Sequence, residues 1–360
     1  MRLELVKRQE HSRLMVVVSP ILAITLTVIL GGGIFALYGV SPLEGLYAFF
    51  IEPLNSYWSL EELLVKAGPL ILIAVGLCVC FLSNTWNIGA EGQFTIGAIF
   101  GSIIPILYPE WTSGFALPAM ILMGAIGGML WASIPALLKT RFGTNEILSS
   151  LMLVYVAQYL LDYLVRGPWR DPDGFNFPES RIFDSAHVLP KFGDGRLHLG
   201  VLIAIVVAIL IWFLLSKTLK GFEIKVLGQS PRAGRFAGFS SNRMVWFGFL
   251  LSGAFAGLAG VFEVSGSIEQ LTPVISPGYG FTAIIVAFLG RLNPIAIIFA
   301  GLLLGLSYIG GEAAQVSLGI SNKMTNVFQG MLLFFVLACD ILIHYRVRLV
   351  NPREAGNDVA

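Results

Sequence analysis

Charge is what this sequence has least of. Of its 360 residues only 12% are charged and 56% are hydrophobic, with a mean hydropathy of +0.80. A soluble domain carries about 25% charged residues, so the shortage excludes one and marks a polytopic membrane protein. An excess of one sign is missing too. The 23 Lys and Arg nearly balance the 22 Asp and Glu, which gives nucleic acid no basic surface to bind. Cysteine is scarce: Cys78, Cys80 and Cys339 lie in apolar runs, without the spacing of a disulfide framework or a zinc site. The 4 histidines form no ligand cluster, so no metal and no catalytic residue is expected. No GxxxxGK[ST] stretch occurs, which excludes ATP binding through a P-loop.

Long apolar runs are what the chain does have. A spanning helix needs about 20 mostly apolar residues. Candidate runs lie near 14–38, 63–82, 92–108, 115–138, 147–165, 198–215, 244–263, 279–291, 294–310 and 327–345, about ten in all. The third, eighth and ninth are short or broken by Gly and Pro. The first follows a basic N-terminus and exceeds the roughly 7–15 apolar residues of a signal peptide, so it reads as an uncleaved span. The fold class expected is all-α, a polytopic helix bundle forming a single transmembrane domain over 1–360.

Lys and Arg set the orientation. With the N-terminus in the cytoplasm, the inner segments hold Arg2, Lys7, Arg8, Arg13, Lys139, Arg141, Lys217, Lys220, Lys225, Arg232, Arg235, Arg243, Arg291, Arg346, Arg348 and Arg353, 16 of the 23 Lys and Arg. Both termini are therefore expected to be cytoplasmic. Residues 166–197 become an outer loop, rich in Pro and Gly and poor in helix, and 216–244 an inner loop.

The most unusual stretch is "NTWNIGAEGQ", residues 84–93. Ionisable groups inside a bilayer cost about 2.5–3.5 kcal/mol on insertion scales, so they face a bundle interior or a wet cavity. Asn84, Asn87, Glu91 and Gln93 offer donors and acceptors, and Trp86 offers a stacking face. They are candidates for lining a substrate pathway. The bland alternative is an inner-side turn in which Glu91 caps a helix and Trp86 sits in the interfacial belt. Thr144, Asn145 and Glu146 open the fifth span. Thr144 can cap it, Glu146 suits the helix dipole, and the three are candidates for a cytoplasmic gate. GxxxG spacings at Gly97/Gly101, Gly124/Gly128, Gly253/Gly257 and Gly301/Gly305 suit close helix packing. Glu263, Glu269 and Glu312, at helix ends or loops, are expected to be solvated.

Two portions of the chain look alike. "EGQFTIGAIFG" resembles "YGFTAIIVAFLG", aligning Gly92 with Gly280, and "GTNEILSSLML" resembles "GISNKMTNVFQGMLL", aligning Asn145 with Asn322. Spans 2–5 and 7–10 would be two copies, one inverted, with the substrate path where they meet.

Together, "NTWNIGAEGQFTIGA", "GTNEILSSLMLVY", "RGPWRDPDGFNFPES" and "VLGQSPRAGRFAGF" resemble the membrane permeases of bacterial ABC importers. The group is the ribose and branched-chain amino acid permease family, and the likeness is closest to its nucleoside, or simple-sugar, subgroup. The resemblance implies a fold like that of the vitamin B12 importer and alternating access across the bacterial inner membrane. It implies an ABC ATP-binding subunit that holds the ATP, a second, unlike permease subunit and an extracytoplasmic substrate-binding protein, with no cofactor in this chain. It also implies that Gly228, Pro231, Arg232, Ala233, Arg235, Phe236, Ala237 and Gly238 form a coupling helix docked on the ATPase. Ala233, Phe236 and Ala237 would make its apolar side. One departure is Gly228-Gln229-Ser230-Pro231 in place of Gly-x-Asn-Pro. The alternatives are a simple-sugar permease and an ion-coupled secondary transporter, for which Glu91, Asp162 or Asp340 would have to serve. An intramembrane enzyme would need paired catalytic groups that the sequence does not offer.

Overall fold

The computed structural model describes residues 2–7, 13–193, 195–321 and 323–350. Its helices are α1 (Arg13–Leu37), α2 (Pro42–Phe50), α3 (Tyr57–Leu82), α4 (Ala90–Gly101), α5 (Ile103–Leu107), α6 (Ala116–Phe142) and α7 (Glu146–Arg166), followed by α8 (Leu199–Lys217), α9 (Leu219–Gln229), α10 (Pro231–Phe236), α11 (Ser241–Phe262), α12 (Tyr279–Leu289), α13 (Pro294–Leu318) and α14 (Met324–His344). Each of the ten expected spans falls on a helix. Among the described residues, 8 helices are long and apolar enough to cross a membrane, and Tyr279–Leu289 and Met324–Cys339 are shorter apolar helices. The helical expectation therefore holds, with one addition. Strands β1 (Arg2–Lys7) and β2 (Tyr345–Val350) pair antiparallel from Arg2↔Val350 to Lys7↔Tyr345. "RLELVK" alternates apolar and charged residues, a strand period.

The chain forms two compact units. The flanking segments, Met1–Pro53 and Gly310–Ala360, make one. Its core is Phe35, Phe49, Ala314, Ile320, Met324 and Phe328, with the Phe49 and Phe328 rings stacked at 4.6 Å. Helix α2, absent from the expectations, presents Gly45, Ala48 and Phe49 to that core. Its nine residues are too few to register as a span.

The other unit, Leu54–Ile309, is held together at glycines. A Cβ on Gly97 would lie 2.2 Å from Gly257 Cα, and one on Gly128 would lie 2.1 Å from Gly253 O. Helices α4, α6 and α11 thus touch backbone to backbone, as small residues allow in membranes. The same device recurs. Gly301 of α13 packs on Ile71 of α3, and Gly305 packs on Leu63 and Ala67. Gly124 and Gly128 of α6 meet α11 antiparallel, and Gly301 and Gly305 of α13 meet α3 antiparallel. Helices α3 and α11 also cross antiparallel, with Gly76 on Ser252 and Gly248 on Cys80. Lengths match as well: α3, α4, α6 and α7 have 26, 12, 27 and 21 residues, and α11, α12, α13 and α14 have 22, 11, 25 and 21. The pairing of Asn145 with Asn322 lies outside the described residues.

Residues 167–197 contain one 3-10 turn, Ser185–His187. They are stitched by backbone bonds from Ser180 N to Leu271 O, Phe183 N to Glu269 O and Leu189 N to Ser265 O. Glu269 pairs with Lys191, and Arg196 reaches Glu62 at 3.0 Å. Glu263 is buried rather than solvated, because a π-helical turn, Glu263–Ile268, continues α11 inside the bundle. His198, also buried, caps α8 by accepting the Gly200 N–H through Nδ1 at 3.2 Å.

Two outcomes follow from these contacts. Gly128→Val forces a side chain into the Gly253 carbonyl, and overpacking of this kind costs about 1–3 kcal/mol. Its thermal midpoint in detergent should fall, whereas Gly33→Ala, with nothing within 4 Å of the added carbon, should not lower it. Burial, followed by Lys191 and Arg196, pushes His198 down to about 4 from 6.5. The unfolded chain then binds the proton more readily. Stability is complete above about pH 6.5, falls by up to ~3 kcal/mol as pH drops towards 4, and is flat below. A pH series of thermal midpoints should show this slope in the native chain and a smaller one in His198→Asn, since Asn caps without titrating.

Candidate transport site

Helix α3 ends at Leu82, and residues 83–89 run without helix into the bundle before α4 begins at Ala90. Asn84 makes the turn with φ 56, a left-handed conformation that Asn tolerates. The Trp86 N–H then meets Glu146 Oε1 at 3.4 Å, and the Ile88 N–H meets Ser150 Oγ at 3.2 Å. Gly89 lies against Ser150 and Gly92 against Val154. The stretch therefore enters level with the first turn of α7, and Glu91 sits about 10 Å further in, at 1.5 Å per residue.

The polar side chains have separate partners. Asn87 and Gln93 form a reciprocal amide pair, with Nδ2 donating to Gln93 Oε1 at 2.9 Å and Gln93 Nε2 donating to Asn87 Oδ1 at 3.1 Å. Asn87 also donates to Ser252 Oγ of α11 at 3.1 Å and accepts the Gly89 N–H at 3.0 Å. Both amides are buried and bonded internally, as buried polar groups require. Trp86 is half-buried, stacked on Phe288 at 6.1 Å and tilted against Phe81 at 5.3 Å. Its indole N–H meets Asn84 Oδ1 at 3.3 Å.

Glu91 differs from these. It lies in the first turn of α4, and its Oε2 accepts the Gly280 N–H of α12 at 2.6 Å. Gly280 must be glycine, since a Cβ would lie 2.3 Å from Glu91 N. One carboxylate thus serves the positive ends of two helices. α12 has 11 residues, about 16 Å of helix, too short for a bilayer core of about 30 Å, whereas α4 runs on through Ser102 into α5 as a candidate span, Ala90–Leu107. The two helices meet N-terminus to N-terminus inside the bundle. Beside that junction a cleft of about 310 Å³ lies between α4, α7 and residues 273–276, with Glu91, Thr95, Gln158, Tyr159, Asp162 and Ser276 among its lining. Of the five pathway candidates, only Glu91 lines this cleft. The partners Ser150, Ser252 and Gly280 escaped sequence reasoning because each lies at least 62 residues away. Gln158, a lone amide inside an apolar run, was a readable signal that went unused. Asp162 pairs with Arg166 at 2.6 Å. Asp340 has a side chain outside the described ones.

At the start of α7 the cap is Asn145, not Thr144. Asn145 Oδ1 accepts the N–H groups of Ile147 and Leu148, while Thr144 bonds through its own N–H to Leu138 O, finishing α6. Glu146 pairs with Lys139. The inner loop is mostly helix: α9, then α10 with Pro231 at its first position and Ser230 as its cap. Gly238, at φ 84, closes α10, with the Phe239 N–H bonded to Gly234 O at 2.9 Å and the Gly238 N–H to Arg235 O at 3.0 Å, a Schellman ending. Gly228 abuts Leu82 O. Arg232, Ala233, Arg235, Phe236 and Ala237 are all exposed, Phe236 to 95%. The buried contact of α10 is Gly234, on Leu227, so the expected apolar side faces away from the protein.

Residues 59–337 match the family described as branched-chain amino acid transport system / permease component. The chain belongs to this permease family. The permease is 34% identical over 351 residues to the glucose ABC transporter permease protein TsgB13 of Haloferax volcanii, spanning 94% of this chain and 92% of that one. It is 28% identical over 352 residues to the guanosine ABC transporter permease protein NupP of Bacillus subtilis, spanning 96% and 97%. With the nucleoside ABC transporter permease protein NupB of Lactococcus lactis it shares 28% over 333 residues, spanning 89% and 90%. As a permease component it is a transport subunit and a multi-pass membrane protein, not itself an enzyme.

Asn87→Ala removes one amide of the reciprocal pair and strands Gln93 and the Gly89 N–H in a buried site. An unsatisfied buried group costs about 1–3 kcal/mol, so purified permease should melt lower. Asn84→Gly, which keeps the left-handed turn, should melt like the parent in the same assay.

Proposed function

We propose that this permease is the membrane-spanning subunit of an ABC importer for nucleosides, working by alternating access driven by a separate ATP-binding subunit. The observation that carries the reading is the meeting of two helix N-termini, one of them that of the short helix α12, at Glu91 beside a cleft, an arrangement that transporters use at their substrate sites. The solute class comes from the relatives for guanosine and nucleosides. The Haloferax glucose relative favours a simple sugar as the second reading. Both solutes are hydroxylated rings.

Helix α10 docks on the ATPase. A short helix stopped by proline at one end and glycine at the other, with a bare Phe236 flanked by Arg232 and Arg235, fits an aromatic anchor with a basic rim. In this reading Ala233, Ala237, Gly228 and Gly238 shape the docked surface. Asn84, Trp86, Asn87 and Gln93 hold the pathway wall in place around Glu91, and Thr144, Asn145 and Glu146 form the gate at the inner end. A second, unlike permease subunit completes the pathway, and an extracytoplasmic binding protein delivers solute on the side of residues 166–197. Both termini lie on the cytoplasmic side of a bacterial inner membrane in this reading, which the Lys and Arg distribution and the β1–β2 pairing support.

The test is uptake of labelled guanosine, uridine and glucose into proteoliposomes containing the complete complex. ATP-dependent nucleoside uptake is expected, and Phe236→Ser should weaken ATPase retention about tenfold or more, as loss of an anchor residue does. Uptake of glucose alone favours the sugar reading. Uptake that persists without the ATPase rejects the importer.

A further inference from the structure

The exposed faces of the spans are not alike. On α8 the exposed side chains include Leu202, Val206, Ile209, Leu210 and Phe213, and on α6 Leu122, Ile126 and Leu130. These are lipid-facing stripes. Helix α7 buries Ser150, Val154, Ala157, Leu161 and Val165. Its exposed residues include Leu148, Met152, Val156 and Leu160, and among them Tyr155, Tyr159 and Tyr163 at four-residue spacing, with Gln158 exposed beside these. Gln158 is the thirteenth of 21 residues, about 18 Å from the Glu146 end and 12 Å from the Arg166 end. It makes no hydrogen bond among the described residues. An unpartnered amide at that depth is costly against hydrocarbon, so this face of α7 meets water or a polar solute.

The cleft lies on that face. Gln158 and Tyr159 line it opposite Glu91, with Thr95 and Ser276 between. The Glu91 carboxylate is occupied by the Gly280 N–H and faces the Ser276 hydroxyl, and Ser276 Oγ accepts the Gly278 and Tyr279 N–H groups. These groups build the floor and have little capacity left. The free ones are the Gln158 amide and the ring of Tyr159, which is 74% exposed. A volume of about 310 Å³ falls at the small end of ligand pockets, roughly 300–1,000 Å³, and suits one small ring-bearing solute.

We propose that this cleft is a nucleoside-binding station in which the base stacks on Tyr159 and Gln158 hydrogen-bonds the solute, while Glu91 positions the floor without bonding it. The assignment rests on the importer reading above. It departs from the polar stretch 84–93 by moving recognition to α7.

Two measurements in the reconstituted complex test it. Tyr159→Leu keeps an apolar side chain and removes the π face. Base stacking on aromatics is worth enough that the KM for guanosine uptake should rise about tenfold, and Tyr159→Phe should restore it. Gln158→Leu should raise the KM as well. In parallel, Tyr159→Cys is probed with a membrane-impermeant maleimide. The native Cys78, Cys80 and Cys339 are buried, so the parent is the unlabelled control. Labelling that guanosine slows supports the site. An unchanged KM in both variants overturns it, as does labelling that guanosine leaves unaffected. Labelling blocked by complex assembly with or without guanosine overturns it too, placing α7 against the second permease subunit. If the parent complex takes up neither nucleoside nor sugar, the importer reading fails instead.

Discussion

The bond from the Gly280 N–H to the Glu91 carboxylate is the point on which the larger unit turns. Two helices begin inside the protein, and each leaves amide groups that lipid cannot satisfy. Glu91 answers both ends at once. It belongs to the first turn of α4 and accepts from the first turn of α12. Around it, glycine at 280 lets the two backbones approach, and Gly278 at φ 104 aims the incoming chain. The Asn87–Gln93 pair then anchors the start of α4 to Ser252 of α11. The cleft lies beside the place where the two helices begin.

Much of this architecture was legible in the sequence. The ten apolar runs, the glycine spacings, the irregular outer loop and the proline that opens α10 all carry local signals, and each corresponds to an element. What was not legible depends on distance along the chain. Asn87 reads as a free hydrogen-bonding group until Ser252, 165 residues on, is beside it. Glu263 reads as solvated until the π-helical turn keeps it inside. Thr144 reads as the cap of α7 until Asn145 Oδ1 is seen to accept the Ile147 and Leu148 N–H groups, with Thr144 N–H bonded back to Leu138. The resemblance between "EGQFTIGAIFG" and "YGFTAIIVAFLG" matches Gly92 with Gly280 as equivalent positions, and it says nothing of the bond by which Gly280 meets Glu91.

Wet and lipid-facing surfaces separate on the same principle. Hydropathy along a span counts apolar residues without regard to face, so α7 passes as an ordinary span. Its exposed side sets Tyr155, Tyr159, Tyr163 and Gln158 among apolar residues such as Met152 and Val156, which a count along the span does not show. Helix α10 shows the complementary case, with an apolar group bared at a loop where no lipid explains it.

The glycine contacts among α4, α6 and α11 also constrain how this molecule can move. Side chains between two helices act as bearings, because changing rotamers lets one helix slide over the other. Where Gly97 meets Gly257 and Gly128 meets Gly253, the backbones touch directly and no such bearing exists. Those three helices form a chassis. Motion is left to parts mounted on it through side chains, and the three helices shift together or not at all.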